Sequence, residues 1–270
     1  IKTVTKVAQQ QVEYARYEDY FKGMGLPAPA LHYYTKRRAV PVVDVALRQH
    51  PEQGVIAMHL PMGNPLDANQ LYQVATMAAT LPAYRIVAFG NPSGAPYRFK
   101  QQGRSPGDPW RIALGPSKQA LVAGELDYLA SMNYENVCHV GYSYGAHKAL
   151  IASTYSSAVV AGIVLVDPVA HSRYARQLLG DFKRTFGPMG EYVNRTGVDS
   201  YFEARKATAG VRYNAGLVRP VNLAVGMMLS RLDFIPLLGR VAKQHPHARI
   251  TVAWGSASEL GNSAHLQANL

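Results

Sequence analysis

The segment from Asn136 to Ser153 constrains the fold of this chain more than any other part of the sequence. Asn136–Val140 is a mostly apolar run of strand length, and Gly141–Gly145 then reads Gly-Tyr-Ser-Tyr-Gly. Small and apolar residues follow from Ala146 with the pattern of a helix. The two glycines leave room for a sharp turn between the strand and the helix. A strand, a sharp turn and a helix in immediate succession predict a sheet with helices packed on it.

Similar apolar runs recur along the chain, separated by segments with helical spacing. Strands are predicted over Gly54–His59, Tyr84–Phe89, Gly162–Val166 and Arg249–Trp254. Helices are predicted from about residue 4 to 22, over Asp67–Thr80 and over Ser117–Met132. Because the strands are nearly all apolar instead of alternating, the pattern predicts a mostly parallel sheet that is buried on both faces. The predicted fold class is α/β, with a central sheet flanked by helices.

Two segments depart from this rhythm. Ala39–Leu47 is densely apolar, but Pro41 argues against a central strand there because proline cannot donate to a strand ladder. The interval from Asp167 to Arg249 is longer than one crossover helix requires, so it predicts a helical, lid-like insertion. The predicted division is an N-terminal helix with the first part of the core in 1–167, the insertion in 168–247, and the second part of the core in 248–270.

The charge balance of the chain is strongly basic. Lys and Arg number 28 against 17 for Asp and Glu, which gives a formal net charge of +11. Such a balance favours contact with an anionic surface or an acidic assembly partner, and a merely solvated basic surface is the alternative. No zinc-ligand spacing, P-loop or aromatic RNA-binding motif accompanies the charge, so specific nucleic-acid recognition is not predicted.

The sequence places few limits on the cellular compartment. Cys138 is the one cysteine, so a disulfide within the chain is excluded. No run approaches the roughly 20 apolar residues of a membrane-spanning helix, so no transmembrane segment is expected. The first residues lack the apolar core of a signal peptide. The compartment itself stays undetermined.

The segment Val137–Ala146 resembles the nucleophile elbow of the α/β-hydrolase superfamily of serine esterases and lipases. In that superfamily a Gly-x-Ser-x-Gly turn joins a strand to a helix and lifts the serine hydroxyl above the sheet. The resemblance implies that Ser143 is the nucleophile. It also implies that the N–H of Tyr144 helps to bind the oxyanion, at the positive end of the following helix.

The resemblance implies a second oxyanion N–H from the loop after an earlier strand. His59–Gly63 lies there and is similar to the family's His-Gly loop. It differs in two ways, because Leu60 replaces the glycine and Pro61 has no N–H to donate. Met62 or Leu60 is then expected to be the donor, and a turn without catalytic duty is the alternative.

The resemblance further implies a carboxylate and a histidine that complete a triad with Ser143. Asp167, directly after one predicted strand, and Glu259, in the loop after the next, are equal candidates for the acid. His265 is the last of 9 histidines and fits the family order of serine, acid and histidine. Three interpretations stay open: His265 serves from a short loop, the family histidine was lost with a truncated C-terminus, or the triad is incomplete.

The favoured function is a carboxylic-ester hydrolase of esterase or lipase type, for which the resemblance implies no metal or organic cofactor. Its substrate would be a small-molecule or lipid ester. Apolar residues between Val225 and Leu238 either line a pocket for the acyl chain or belong to the core. The alternative function is a catalytically degenerate member of the same fold that serves as a binding or structural component of a larger assembly.

Overall fold

A computed structural model describes residues 19, 21–34, 40–46, 54–60, 68–90, 118–169, 232–255, 266–268 and 270 of the chain. Its strands are β1 (Ala30–Tyr34), β2 (Val40–Val45), β3 (Val55–His59), β4 (Arg85–Phe89), β5 (Asn136–Tyr142), β6 (Val159–Val166) and β7 (Arg249–Ala253). Its helices are α1 (Ala68–Thr80), α2 (Gln119–Ser131), α3 (Tyr144–Tyr155) and α4 (Phe234–Gln244). None of these helices is long and apolar enough to span a bilayer.

The described strands form one 7-stranded sheet in the order β1-β2-β4-β3-β5-β6-β7. Within this order, β4, β3, β5, β6 and β7 are parallel to one another. In contrast, β1 and β2 add to one side as antiparallel strands. Each of the strands that the sequence predicted is present as β3 to β7, and the predicted mostly parallel sheet with flanking helices is confirmed.

The position of β2 corrects the prediction that was based on Pro41. The strand lies between β1 and β4 and is not at the edge of the sheet. Pro41 pairs with Tyr33 of β1, whereas pairing with β4 begins only at Val42. The proline therefore lies outside the part of β2 that is paired on both sides, so its missing N–H removes no bond to β4. The inference that this proline excludes an internal strand was wrong.

Helices on the two faces of the sheet create two apolar layers. On one face, α2, α3 and α4 pack against inward side chains such as Val55, Val137 and Ile163. On the other face, α1 and the N-terminal Phe21 pack against β3 and β4. Residues 21–23 are helical and a turn follows, which confirms the predicted helix end at this point. Most of that predicted helix lies outside the described residues.

The last helix, α4, lies within the range predicted as the lid-like insertion. Its residues Phe234 and Leu237 are buried in the apolar layer that contains α3. Just after α4, the His245 Nε2 donates to the carbonyl of Ser153 in α3 over 2.8 Å. The described late residues of the predicted insertion thus belong to the core. Residues 170–231 lie outside the described part of the chain.

A buried carboxylate, Asp44 of β2, connects the antiparallel strands to β4 and α2. Arg85 of β4 donates to its two oxygens over 2.8 and 2.6 Å, and the Tyr128 hydroxyl of α2 donates over 2.6 Å. The hydrogen bond to Asp44 raises the pKa of Arg85, and burial raises the pKa of Tyr128. Such a two-pronged, charge-assisted pair is among the stronger polar contacts in proteins. The cluster lies near the amino end of β4.

Candidate functional site

The candidate site lies at the carboxyl ends of β3 and β5, which are neighbours in the sheet. After β3 the chain adds β4 on one side, and it then returns to add β5 on the other. In open parallel sheets, ligands bind at such a reversal because the loops that leave the two strands diverge and open a crevice. His59 ends β3, and β5 ends directly before Ser143.

Ser143 forms the turn between β5 and α3, with a φ of 54° and a ψ of -119°. Residues with a side chain rarely adopt this conformation, so the turn is strained. Two backbone hydrogen bonds hold it. The Ser143 N–H donates to the Val166 carbonyl over 2.8 Å, and the Ala146 N–H donates to the Ser143 carbonyl over 3.0 Å. The structure thus contains the sharp turn that the sequence predicted, and the backbone of Ser143 is strained in it.

Gly141 and Gly145 permit this turn because the backbone around them leaves no space for a side chain. A Cβ on Gly141 would overlap the Gly145 carbonyl oxygen and lie 2.6 Å from the Ala146 Cα. A Cβ on Gly145 would overlap the His59 carbonyl oxygen and lie 2.7 Å from the His59 carbonyl carbon. The first glycine lets α3 fold back on β5, and the second lets α3 approach the end of β3.

Tyr144 is the first residue of α3. Its N–H belongs to the first helical turn, whose N–H groups have no acceptor within the helix. The same group lies at the positive end of the helix dipole. The side chain is buried, and burial raises the pKa of the phenol. The structure therefore places an N–H without a helical acceptor next to Ser143.

Asp167 follows β6 and lies beside the Ser143 turn. The pairing of β5 with β6 ends at Tyr142 and Val166, so Ser143 and Asp167 are the next residues of the two strands. The φ of Asp167 is 48°, and its N–H donates to the Ala253 carbonyl over 2.6 Å. Its Oδ1 is buried and has no hydrogen-bond partner among the described residues. A carboxylate oxygen that can accept a hydrogen bond therefore lies at the same end of the sheet as Ser143.

A buried polar network lies between the sheet and helices α2 and α3. Glu125 of α2 accepts a hydrogen bond from His59 Nδ1 over 2.7 Å and forms an ion pair with Lys148 of α3. His59 Nε2 lies 2.9 Å from Nδ1 of His139, which belongs to β5. All four side chains are at most 1% exposed. The network therefore joins four elements in a space closed to solvent.

The contacts indicate the protonation states of the side chains in the network. Burial lowers the pKa of His59, despite the opposing effect of Glu125, and it lowers the pKa of His139. Burial alone would raise the pKa of Glu125, but Lys148 and His59 hold it below its usual value. Because the carboxylate only accepts, a neutral His59 donates through Nδ1, and its Nε2 accepts from His139 Nδ1–H. The charges of the Lys148–Glu125 ion pair then cancel, so the network has no net charge.

Three of the predicted site residues, Met62, Glu259 and His265, lie outside the described residues. Their roles stay predictions. The Leu60 N–H, the other expected donor of the second oxyanion N–H, donates to the Phe89 carbonyl over 3.2 Å and is therefore already engaged in a backbone hydrogen bond.

Among the described residues, no histidine forms a hydrogen bond with the Ser143 hydroxyl. His59 and His139 bond to one another within the network. His147 of α3 is buried, with its ring centroid 5.6 Å from that of Phe234. The burial of His139 and His147 favours structural roles for both.

Sequence reasoning missed Glu125 and Lys148, although the pattern carried a signal for each. Glu125 lies in the buried stripe of α2 together with Leu121, Val122 and Tyr128, at the spacing of one helical face. Lys148 is the one Asp, Glu, Lys or Arg residue in α3, which otherwise consists mostly of small and apolar residues. A charge at a core position predicts a buried partner of opposite charge, since an unpaired one is too costly.

Comparisons with known proteins agree with this architecture. No protein-family model matches the chain, and no curated protein sequence matches it. A bacterial membrane phospholipase A aligns with a TM-score of 0.56 at 14% identity, over 99% of this chain and 79% of that one. A hydrolase from Pseudomonas aeruginosa aligns with a TM-score of 0.51 at 13% identity, over 89% and 94%. The chain has the α/β-hydrolase fold.

A third similar structure is a homoserine O-acetyltransferase from Staphylococcus aureus. It aligns with a TM-score of 0.51 at 12% identity, over 86% of this chain and 77% of that one. Identities this low establish the fold alone. Because the α/β-hydrolase fold hosts several reactions, the activity of this chain has to be argued from its own site.

Proposed function

We propose that this chain is a serine hydrolase that cleaves a carboxylic ester, with Ser143 as its nucleophile. The observation that carries the proposal is the Ser143 turn, where a residue with a side chain holds a φ of 54° between two crowded glycines. Glycine would adopt this backbone with less strain, so the fold alone gives no reason for a serine. In the α/β-hydrolase superfamily, such a turn presents the nucleophile to the substrate.

In the proposed reaction, the Ser143 hydroxyl oxygen attacks the acyl carbon of the ester while a histidine takes its proton. Negative charge develops on the former carbonyl oxygen, and the N–H groups of Tyr144 and Met62 stabilise it. The histidine returns the proton to the departing alkoxide, which leaves as the alcohol. Water then attacks the acyl-serine by the same route and releases the acid. We propose His265 as this histidine.

For the acid that orients the histidine, we propose Asp167 and not Glu259. The buried Oδ1 of Asp167 lacks a partner among the described residues, and the residue lies beside Ser143. Asp167→Asn is expected to lower kcat for a p-nitrophenyl ester by about 100-fold. Asparagine tolerates a positive φ, so the backbone is preserved. Glu259→Gln should stay within about 2-fold of wild type, and the reverse ranking would assign the role to Glu259.

Labelling with a fluorophosphonate probe tests the proposed nucleophile. The wild type is expected to gain one probe per chain on the peptide that contains Ser143, measured by mass spectrometry. Ser143→Ala should gain none. The control is Ser157→Ala, which removes an exposed serine that precedes β6, at the opposite edge of the sheet. This variant should react like the wild type, because its nucleophile is intact.

The wild type, Ser143→Ala and Ser157→Ala should rank in the same order in their rates of hydrolysis of short-chain and long-chain p-nitrophenyl esters as in their labelling. A folded wild type that neither reacts with the probe nor hydrolyses any of these esters would contradict the proposal. That result would favour the other function, a binding or structural component built on the same fold.

A further inference from the structure

The Glu125 carboxylate connects three elements, two of which, β3 and α3, meet beside the Ser143 turn. It belongs to α2, accepts from His59 at the end of β3 over 2.7 Å, and forms an ion pair with Lys148 of α3. Glu125 and His59 are each 1% exposed, and Lys148 is fully buried. No solvent screens these contacts, so they hold the three elements in one arrangement.

This arrangement reaches the Ser143 turn through the backbone. The Cα of Gly145 lies directly against the carbonyl group of His59, with no space for a Cβ. Lys148 follows Tyr144 by one helical turn on α3, so the ion pair acts on the same first turns of the helix. A shift of His59 at the end of β3 would therefore shift the residues that carry the Tyr144 N–H and the Ser143 hydroxyl.

Stability alone does not explain why this buried network consists of charged and polar side chains. Replacing a buried ion pair by apolar side chains of similar volume is often neutral or stabilising, because desolvation offsets most of the attraction. Apolar residues adjoin the network, since the ring centroid of Phe89 lies 5.9 Å from that of His59 and Leu121 shares the buried face of α2 with Glu125. A hydrogen-bonded network differs from apolar packing in fixing direction as well as distance.

We propose that Glu125 is a positioning residue, which fixes the end of β3 against α3 through His59 and thereby sets the geometry of the Ser143 turn for reaction. The inference rests on the proposed hydrolase function. It adds that Glu125, which does not touch the reacting atoms, controls the rate of acylation. A displacement of a reacting group by about 1 Å lowers the rate by about 100-fold, so a small shift of the turn is measurable.

Two double variants isolate the hydrogen bond from the charge. Both carry Lys148→Met, which removes the buried cation at similar length. The first adds Glu125→Gln, whose amide oxygen still accepts from His59, and the second adds Glu125→Leu, which cannot accept. The Leu variant is expected to acylate about 10- to 100-fold more slowly than the Gln variant, with KM changed by less than about 2-fold. Acylation is followed as the rate of fluorophosphonate labelling and as kcat/KM, well below the Tm of both variants.

Asp44→Asn serves as the matched control. It also changes a buried carboxylate that bonds a cation and an α2 side chain, but near the amino end of β4. It is expected to lower the Tm by about 5 to 10 °C and to leave the acylation rate within about 2-fold of wild type. If the role of Glu125 were merely structural, the Leu variant would likewise show a lower Tm and an acylation rate within about 2-fold of wild type.

Equal acylation rates in the Gln and Leu variants, with a reactive wild type, would overturn the positioning role and leave the hydrolase intact. A wild type that does not react would overturn both. If the Leu variant fails to fold, histidine ¹⁵N spectra of the wild type decide. A neutral His59 protonated on Nδ1 is expected, and protonation on Nε2 alone would show that Glu125 does not accept from it.

Discussion

Gly145→Ala is expected to lower the free energy of unfolding by more than about 4 kcal/mol and to reduce the yield of folded protein severely. A Cβ at this position would overlap the carbonyl oxygen of His59, which belongs to the backbone of β3 and cannot rotate away. Either α3 or β3 would have to move, and both are packed in the core. The measurement is urea unfolding followed by circular dichroism.

Gly239→Ala is the matched control for this substitution. Gly239 is an exposed residue within α4, and a Cβ there would have no atom within 4 Å. Because alanine is the better helix former, the free energy of unfolding of this variant should exceed that of the wild type by up to about 1 kcal/mol. If Gly145→Ala instead unfolds within about 1 kcal/mol of the wild type, the close packing of α3 on β3 is not correct.

The second large effect is a loss of stability in mild acid, caused by buried neutral histidines. Burial lowers the pKa of His59 and of His139, and it lowers that of His147 to about 4. In the unfolded chain a histidine titrates near 6.5. Below this pH the unfolded state takes up protons that the folded state does not, so the free energy of unfolding falls as the pH falls from 6.5 towards about 4.

Each such histidine contributes a slope of up to about 1.4 kcal/mol per pH unit, so His147 alone accounts for about 3 kcal/mol near pH 4. Urea unfolding between about pH 7 and about pH 4.5 measures this slope. His147→Gln should reduce the slope by up to about 1.4 kcal/mol per pH unit, because the substitution removes one buried group that stays unprotonated in the folded state. Identical slopes for wild type and His147→Gln would contradict the buried, neutral state of His147.

The parallel part of the fold was predictable because its strands are buried on both faces. Continuous apolar runs such as Gly162–Val166 and the glycines of Gly141–Gly145 are strong local signals. The antiparallel strands carried weaker ones. The sequence did not predict β1, and Pro41 misled the interpretation of β2, because no local pattern tells which residues of a strand pair on both sides.

The site was predictable in its local part and not in its long-range part. Ser143 and Tyr144 follow from one turn, for which the nearby Gly141 and Gly145 are a local signal in the sequence. The contacts of Glu125 with His59 and with Lys148 join residues that are far apart along the chain. Periodicity indicates that Glu125 faces the core, but only the packing of α2 against β3 and α3 shows which groups it meets.

The φ of 54° at Ser143 has a consequence for how far this fold can be stabilised. A residue held in such a conformation costs on the order of 1 to 3 kcal/mol, which the surrounding packing has to supply. Glycine at this position would remove most of that cost and, with it, the hydroxyl that we propose as the nucleophile. Under the proposed function, thermal robustness and reactivity therefore compete at a single residue. Gains in stability without loss of activity have to come from elsewhere in the chain, such as the exposed glycine of α4.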